Sequence, residues 1–267
     1  MKRFLSALLV VVCLSVIPST GFLVLKIREK NETADVSSGQ EMLDKLADGS
    51  VDAVQKVIDE REEQERIRIA GAARSAAVED TLRRLQSGEL SYVKAFSKVY
   101  IAGDSLMAGL SAYNVLNSQH IIAQVSASLF HLQENLQRII ALNPPILILH
   151  YGVNMIGAEE YHRDNFIKQY TGLIQQLQKA LPNTRIIVSY LFPVNTSVAT
   201  APRFKYVNAY NARIKQMCAA LGIEHLNSAP VFQGHPEFYG KDGIHLSATF
   251  YRDYWLPYLV RELEIVA

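Results

Sequence analysis

The sequence predicts an α/β fold: a three-layer α/β/α sandwich on a doubly wound, five-stranded parallel sheet, preceded by a transmembrane helix and a helical stalk. Three observations carry this reading. Short β-branched or Leu-rich runs recur from residue 99 to 226, amphipathic segments separate them, and one long uncharged run lies near the N-terminus. Strands alternating with helices put a parallel sheet between two helical layers.

Phe4 to Leu25 carries no charge and is long enough to cross a bilayer, which takes roughly 20 apolar residues. Residues 1–30 are therefore read as an uncleaved signal anchor. A cleavable signal peptide is the competing reading, because Lys2 and Arg3 precede Leu5 to Ile17 and the small residues Ser19 and Gly21 follow Pro18. Against it, Phe22 to Leu25 resumes the apolar run. Lys26, Arg28 and Lys30 balance Lys2 and Arg3, so counting positive charges does not fix the orientation. Val12 before Cys13 is not the small residue that a lipoprotein cleavage site requires.

Residues 31–96 are charged and Ala-rich, with Met42, Leu43, Leu46, Val54, Val57 and Ile58 at helical spacings and both charge signs between Glu60 and Arg68. This predicts a helical stalk interrupted at Gly49, Gly71 and Gly88. The charge run reads as a solvated face. Self-association through a coiled coil is the alternative, with apolar heptads that are irregular for it.

Residues 97–267 form the third region. Val99 to Ala102, Ile121 to Val125, Ile146 to Tyr151, Arg185 to Leu191 and Ile223 to Leu226 read as five core strands, too short for buried helices. Between them run apolar stripes: Leu129, Leu132, Leu136, Ile139 and Ile140; Phe166, Ile167, Tyr170, Ile174 and Leu177; and Val207, Tyr210, Ile214, Met217 and Leu221, closed by Gly222. A last helix is expected over Ala248 to Glu264.

Composition narrows the function. At 267 residues and 49% hydrophobic content the chain can bury a sizeable core, and a formal net charge of +1 with no basic run interleaved with aromatics argues against nucleic acid as a partner. The two cysteines, Cys13 and Cys218, have no zinc spacing and offer no plausible intramolecular disulfide. Neither a metal nor an organic cofactor is implied.

In doubly wound sheets ligands bind beyond the C-terminal strand ends. There the chain places Gly103-Asp104-Ser105, Ser126-Ala127-Ser128 and Gly152-Val153-Asn154, and Asp242-Gly243-Ile244-His245 follows the fifth strand. A serine where strand turns into helix can be a mere N-cap. It also presents its Oγ and amide at the positive end of the helix dipole. A serine hydroxyl needs a base to become nucleophilic, and that imidazole needs a carboxylate to hold its tautomer. Asp242 and His245 are spaced to supply both, with Asp242 on Nδ1 and Nε2 turned toward Ser105. The amide of Ser105, an amide near Ala127 and the Asn154 side chain are the candidate oxyanion donors. Gly152 would let the Asn154 loop approach substrate. Met107 stands where the second glycine of a G-x-S-x-G elbow belongs, so that elbow is absent.

The blocks "GDSL" at Gly103 to Leu106, "GVN" at Gly152 to Asn154 and "DGIH" at Asp242 to His245 resemble those of the SGNH, or GDSL, hydrolase family. The resemblance covers about Val99 to Leu263. It implies a flavodoxin-like SGNH fold with Ser105 as nucleophile, His245 as general base and acid, Asp242 as its orienting carboxylate and Asn154 as an oxyanion donor. In the family's second block a glycine usually gives its amide to the oxyanion. Here Ala127 is the match, with Ser126 as the alternative donor.

Other polar residues have plainer expectations. Asp104 reads as a cap or loop brace, and His150 and Tyr151 as core or supporting residues. His235, in "GHPEFYG", has no carboxylate spaced as Asp242 is from His245. The loop Phe192 to Pro202 is either a pocket wall or a surface loop.

The expected activity is a serine esterase acting through an acyl-enzyme on O-acetyl or other short-chain esters. The partners are an acylated glycan or small ester, and the membrane through the N-terminal helix. The apolar run at Phe4 to Leu25 implies a single-pass protein of the cell membrane, and with the catalytic domain outside, the similarity to extracytoplasmic members of the family implies action on cell-envelope or extracellular glycans. The alternatives are an O-acyltransferase, a lysophospholipase or thioesterase, and an inactive membrane-anchored scaffold.

Overall fold

The computed structural model describes residues 39–41, 43–44 and 51–267. The expected membrane anchor at 1–30 and the break at Gly49 lie outside these residues. Among the described residues no helix is long and apolar enough to cross a membrane. Two compact units divide the chain, Met1–Ala72 and Ala73–Ala267.

Helix α1, Val51–Gln86, crosses Gly71 without a break. A mid-helix glycine costs about 1 kcal/mol relative to alanine, and Ala70, Ala72, Ala73, Ala76 and Ala77 around it are the strongest helix formers. Residues 59–76 are exposed on every side. Pairs such as Glu65 with Arg68, 2.6 Å, belong to the solvated face that the charge run predicts, and exposed pairs of this kind add little stability.

The last turns of α1 belong instead to the second unit. Val78, Leu82 and Leu85 are buried in its core, followed by Leu90, Ala95 and Phe96 around the short helix α2, Tyr92–Ala95. Arg84 donates to the main-chain oxygen of Ala267 at 2.7 Å, and the amide of Ala267 donates to Thr81 Oγ1 at 3.3 Å. The compact fold thus begins about two dozen residues before Ser97, because an amphipathic stripe lies within the Ala-rich segment.

The five expected strands form: β1 Val99–Gly103, β2 Ile121–Ala123, β3 Ile146–His150, β4 Arg185–Ser189 and β5 Glu224–Leu226. They pair in the order β2-β1-β3-β4-β5, all parallel. The central strands carry apolar side chains on both faces, as a two-sided parallel sheet requires. Helix α3, Ser105–Ala112, follows β1, and α4, Leu129–Leu142, follows β2. Helix α5, Glu160–Ala180, follows β3, and the short α6, Thr196–Ala199, and α7, Val207–Leu221, follow β4. Helix α5 packs against both α4 and α7, so these three lie side by side on one face, and the right hand that parallel crossovers take puts α3 on the other.

The expected C-terminal helix opens at Ala248 and passes through a π-helical segment, Phe250–Trp255, before the α-helical α8, Leu256–Glu262. Pro257 lacks the N–H that an α-helix would bond to Asp253, and a wider turn accommodates that gap. The segment faces α3: the hydroxyl of Tyr251 donates to the carbonyl of Leu106, and its ring fills the space beside Gly109.

Leu82, only 2% exposed, tests whether the end of α1 is part of the fold. Leu82→Ala is expected to destabilise the protein by about 2–5 kcal/mol, the usual range for a buried leucine, as read by denaturant melts. An unchanged midpoint would place this helix outside the cooperative unit.

Candidate active site

The parallel register brings the strand ends to one edge, where Gly103 pairs with Ala123 on one side and with His150 on the other. Gly103 must be a glycine. A Cβ there would come within 2.5 Å of Met107 Cγ and 2.7 Å of the His150 carbonyl oxygen. The chain then turns directly into α3, with Asp104 as N-cap accepting the amide of Leu106 at 3.1 Å. Ser105 is the first helical residue, where backbone amides have no intrahelical acceptor.

His245 Nε2 lies 3.0 Å from Ser105 Oγ, and its Nδ1 lies 2.5 Å from Asp242 Oδ2. The other oxygen of Asp242 accepts the amides of Ile244 and His245, both at 3.0 Å, so one tight turn fixes carboxylate and imidazole together. Partial burial alone would push this carboxyl up. The hydrogen bond from His245 and the two amides outweigh it and hold the carboxyl at about 2. Asp242 is an anion throughout the working range. The side chains of His245 and Asp242 are 52% and 47% exposed, so the arrangement is open to solvent.

The loop after β4 braces this turn. The amide of Asn195 donates to the carbonyl of Gly243 at 2.8 Å, and the hydroxyl of Tyr239 donates to the carbonyl of Pro193 at 2.9 Å. The segment Phe192 to Pro202 is therefore docked against the Asp242–His245 turn.

Asn154 is exposed in the turn after β3, and its Nδ2 donates to the Ala127 carbonyl at 2.9 Å. One of its two N–H bonds thus ties two loops together and leaves the second for a ligand. Gly152 has φ +139, and a Cβ on it would lie 2.8 Å from Leu191 and 3.1 Å from Phe166. Its glycine is required by the backbone and by the packing beneath it, where the sequence pointed to substrate approach. Arg203 Nη2 donates to the Val153 carbonyl at 2.6 Å, and the Tyr210 hydroxyl donates to the Met155 carbonyl at 3.1 Å. Neither brace had a local signal in the sequence.

The second block differs most from expectation. The amide of Ala127, a candidate oxyanion donor, points into its own turn and donates to the Gln124 carbonyl at 3.3 Å. Ala127 is buried, whereas Ser126 is exposed with φ +60. The amide of Ser128 donates to His131 Nδ1 at 3.0 Å, which fixes the start of α4 through a histidine that the sequence reading did not single out.

His150 and Tyr151 are buried, as expected. His150 Nδ1 lies 3.1 Å from Ser189 Oγ, the ring packs on Phe192, and burial pushes its pKa down to about 3, so it is neutral. His235 does have a carboxylate: its Nδ1 lies 2.7 Å from Glu237 Oε1, two residues on, a pair that the spacing of Asp242 and His245 gave no reason to expect. Cys218 is buried and unpaired, and no group of three or more His, Cys, Asp or Glu side chains able to hold a metal occurs among the described residues.

A model of the GDSL-like lipase/acylhydrolase family matches residues 101–252, more than half of the chain. The chain belongs to this family. It is an acylhydrolase, an enzyme of ester bonds. Solved structures share its fold. One, described as that of a candidate GDSL-like lipase from Parabacteroides merdae, has 12% identity and a TM-score of 0.50 over 62% of this chain and 94% of its own. A GDSL-like lipase from Bacteroides thetaiotaomicron has 15% identity and a TM-score of 0.48, over 68% of this chain and 95% of its own. Axe2, an acetylxylan esterase from Geobacillus stearothermophilus, has 12% identity and a TM-score of 0.48, over 62% of this chain and 93% of its own. No curated protein matches the chain.

Gly152 offers a test of how this acylhydrolase is held together at its strand ends. Gly152→Ala is expected to cost roughly 2–4 kcal/mol from backbone strain and overpacking, and to lower kcat by displacing Asn154. A variant with unchanged melting and turnover would remove Gly152 from the account of the site.

Proposed function

We propose that the acylhydrolase works through a Ser105-His245-Asp242 triad and an acyl-enzyme. The observation that carries this is the continuous hydrogen-bonded line from Asp242 through His245 to Ser105 Oγ, at 2.5 and 3.0 Å. Ser105 Oγ attacks the ester carbonyl while His245 Nε2 takes its proton. Asp242, an anion at working pH, holds the imidazole with Nδ1 protonated and stabilises the imidazolium that forms.

Negative charge on the former carbonyl oxygen is met by the Ser105 amide at the positive end of α3 and by the second N–H of Asn154. A third donor comes from the Ser126–Ala127 turn, where Ser126 is the exposed member. His245 then passes its proton to the departing alcohol. Water, activated in turn by His245, releases the acid and regenerates Ser105.

The substrate we propose is a short acyl ester, such as O-acetyl, on a glycan. Half-exposed His245 and Asp242 side chains leave room for a bulky alcohol beside a small acyl group. We further propose that Phe4 to Leu25 anchors the chain in a membrane with the acylhydrolase unit outside. The length of that run and its lack of charge support this. Protease digestion of intact cells that leaves the unit untouched would refute that orientation.

Hydrolysis of p-nitrophenyl acetate, butyrate and octanoate tests the mechanism and the acyl preference. Ser105→Ala is expected to abolish turnover, and Asn154→Ala to lower kcat about 10²–10³-fold with little change in KM. Asp242→Asn is expected to lower kcat by at least about 10². Rates are expected to fall with chain length. Full activity in Ser105→Ala would exclude the serine mechanism, and rates rising toward octanoate would exclude the short-acyl reading.

A further inference from the structure

Asp104 is fully buried one residue from Ser105, yet its carboxyl makes one hydrogen bond of normal geometry, from the Leu106 amide to Oδ1. Its second oxygen, Oδ2, has no hydrogen-bond partner in the protein. A buried polar atom left without a partner costs roughly 1–3 kcal/mol, and more when the group is charged. Capping does not explain that cost, because asparagine or serine caps a helix about as well without any charge.

What the carboxyl faces supplies the reason. The backbone amides of Gly152 and Val153 approach it closely enough to favour its ionised form, although neither reaches Oδ2 in normal hydrogen-bond geometry. Those amides open the turn that carries Asn154. The carboxyl therefore stands between the helix start that holds Ser105 and the turn that holds Asn154.

The other titratable groups acting on it are Tyr151 after β3, Tyr170 on α5, Tyr251 on the π-helical segment and His245. Burial pushes all three tyrosines up, so they are neutral, and His245 is the partner that can become a cation.

We infer that Asp104 is a positioning residue: as a carboxylate it clamps the nucleophile turn to the Gly152–Asn154 turn, keeping two of the oxyanion donors, the Ser105 amide and Asn154, in register. The inference rests on the Ser105 mechanism proposed above. Burial works against the clamp, raising this carboxyl to about 7 despite the amides and His245. A folded-state value above the ordinary 3.8 means that the group's contribution to stability is complete below that value and is lost as pH rises through about 7. The charge is thus least welcome to the fold in the pH range where the clamp is engaged, a trade of stability for a working site.

The test compares Asp104→Asn with the full-length wild type on p-nitrophenyl acetate across pH, alongside thermal melts. Asparagine keeps the cap on Leu106 but presents an NH₂ to two N–H groups. The expected result is a fall in kcat of at least about tenfold with KM within about twofold, the signature of a displaced transition-state contact. In the wild type the rising limb of kcat/KM should contain the ionisation of Asp104, and in the variant that ionisation should be gone. At about pH 8 the variant should melt no lower than wild type, because it no longer buries a charge. Asp104→Ser, which also keeps a cap and removes the acceptor, should lose activity likewise and decides the matter if the asparagine variant does not fold. A kcat within twofold of wild type with an unchanged pH profile would overturn the inference alone, as would a kcat loss that merely follows a lower melting point. A wild type as inert as Ser105→Ala would overturn the triad proposal and this inference with it.

Discussion

The hydrogen bond between His245 Nε2 and Ser105 Oγ joins residues 140 positions apart. No local preference can place those two atoms 3.0 Å from each other. The parallel register fixes where β1 ends, Gly103 allows the chain to turn there at close quarters, and Asp104 starts α3 so that Ser105 lies at its first turn. From the other direction, the Asp242 carboxylate gathers two backbone amides into a turn, and the Asn195–Gly243 bond seats that turn on the loop after β4. Loops carry the chemistry and the sheet supplies the precision, the usual division of labour in doubly wound folds.

The same edge shows where the fold accepts cost. Asp104 and His150 are both fully buried with one polar atom unpartnered, and burial drives each toward its neutral form. They flank Gly103 along the strand pairing, one following it in sequence and the other across from it. Around them the polar groups are well matched: Arg203 on Val153, Tyr210 on Met155 and Asn154 on Ala127. Orphaned groups beside a well-braced site are what functional strain looks like in a static structure.

Much of this was legible in the sequence because it was written locally. The five strands showed as short β-branched runs, and Gly103 to Ser105, Gly152 to Asn154 and Asp242 to His245 each lie within a few residues. What escaped was written at long range or hidden by composition. Val78, Leu82 and Leu85 form a buried stripe, but Arg83, Arg84 and the alanines around them made the segment read as more stalk. The braces from Arg203 and Tyr210 cross some 50 residues and leave no spacing to find. The Ala127 amide could be matched by alignment to a donor role, yet only its turn geometry shows it spent on Gln124. The π-helical segment at Phe250 required both Pro257 and the contact of Tyr251 with α3, and periodicity reveals neither.

The central claim is that a single serine, made nucleophilic by its place in the fold, forms the covalent intermediate. Labelling the folded enzyme with a fluorophosphonate and mapping the adduct by peptide mass spectrometry tests it most directly. The expected result is one phosphonyl group per chain, on Ser105, with labelling that disappears when the protein is unfolded. A modification at another serine, or an active enzyme that takes no label, would contradict the account.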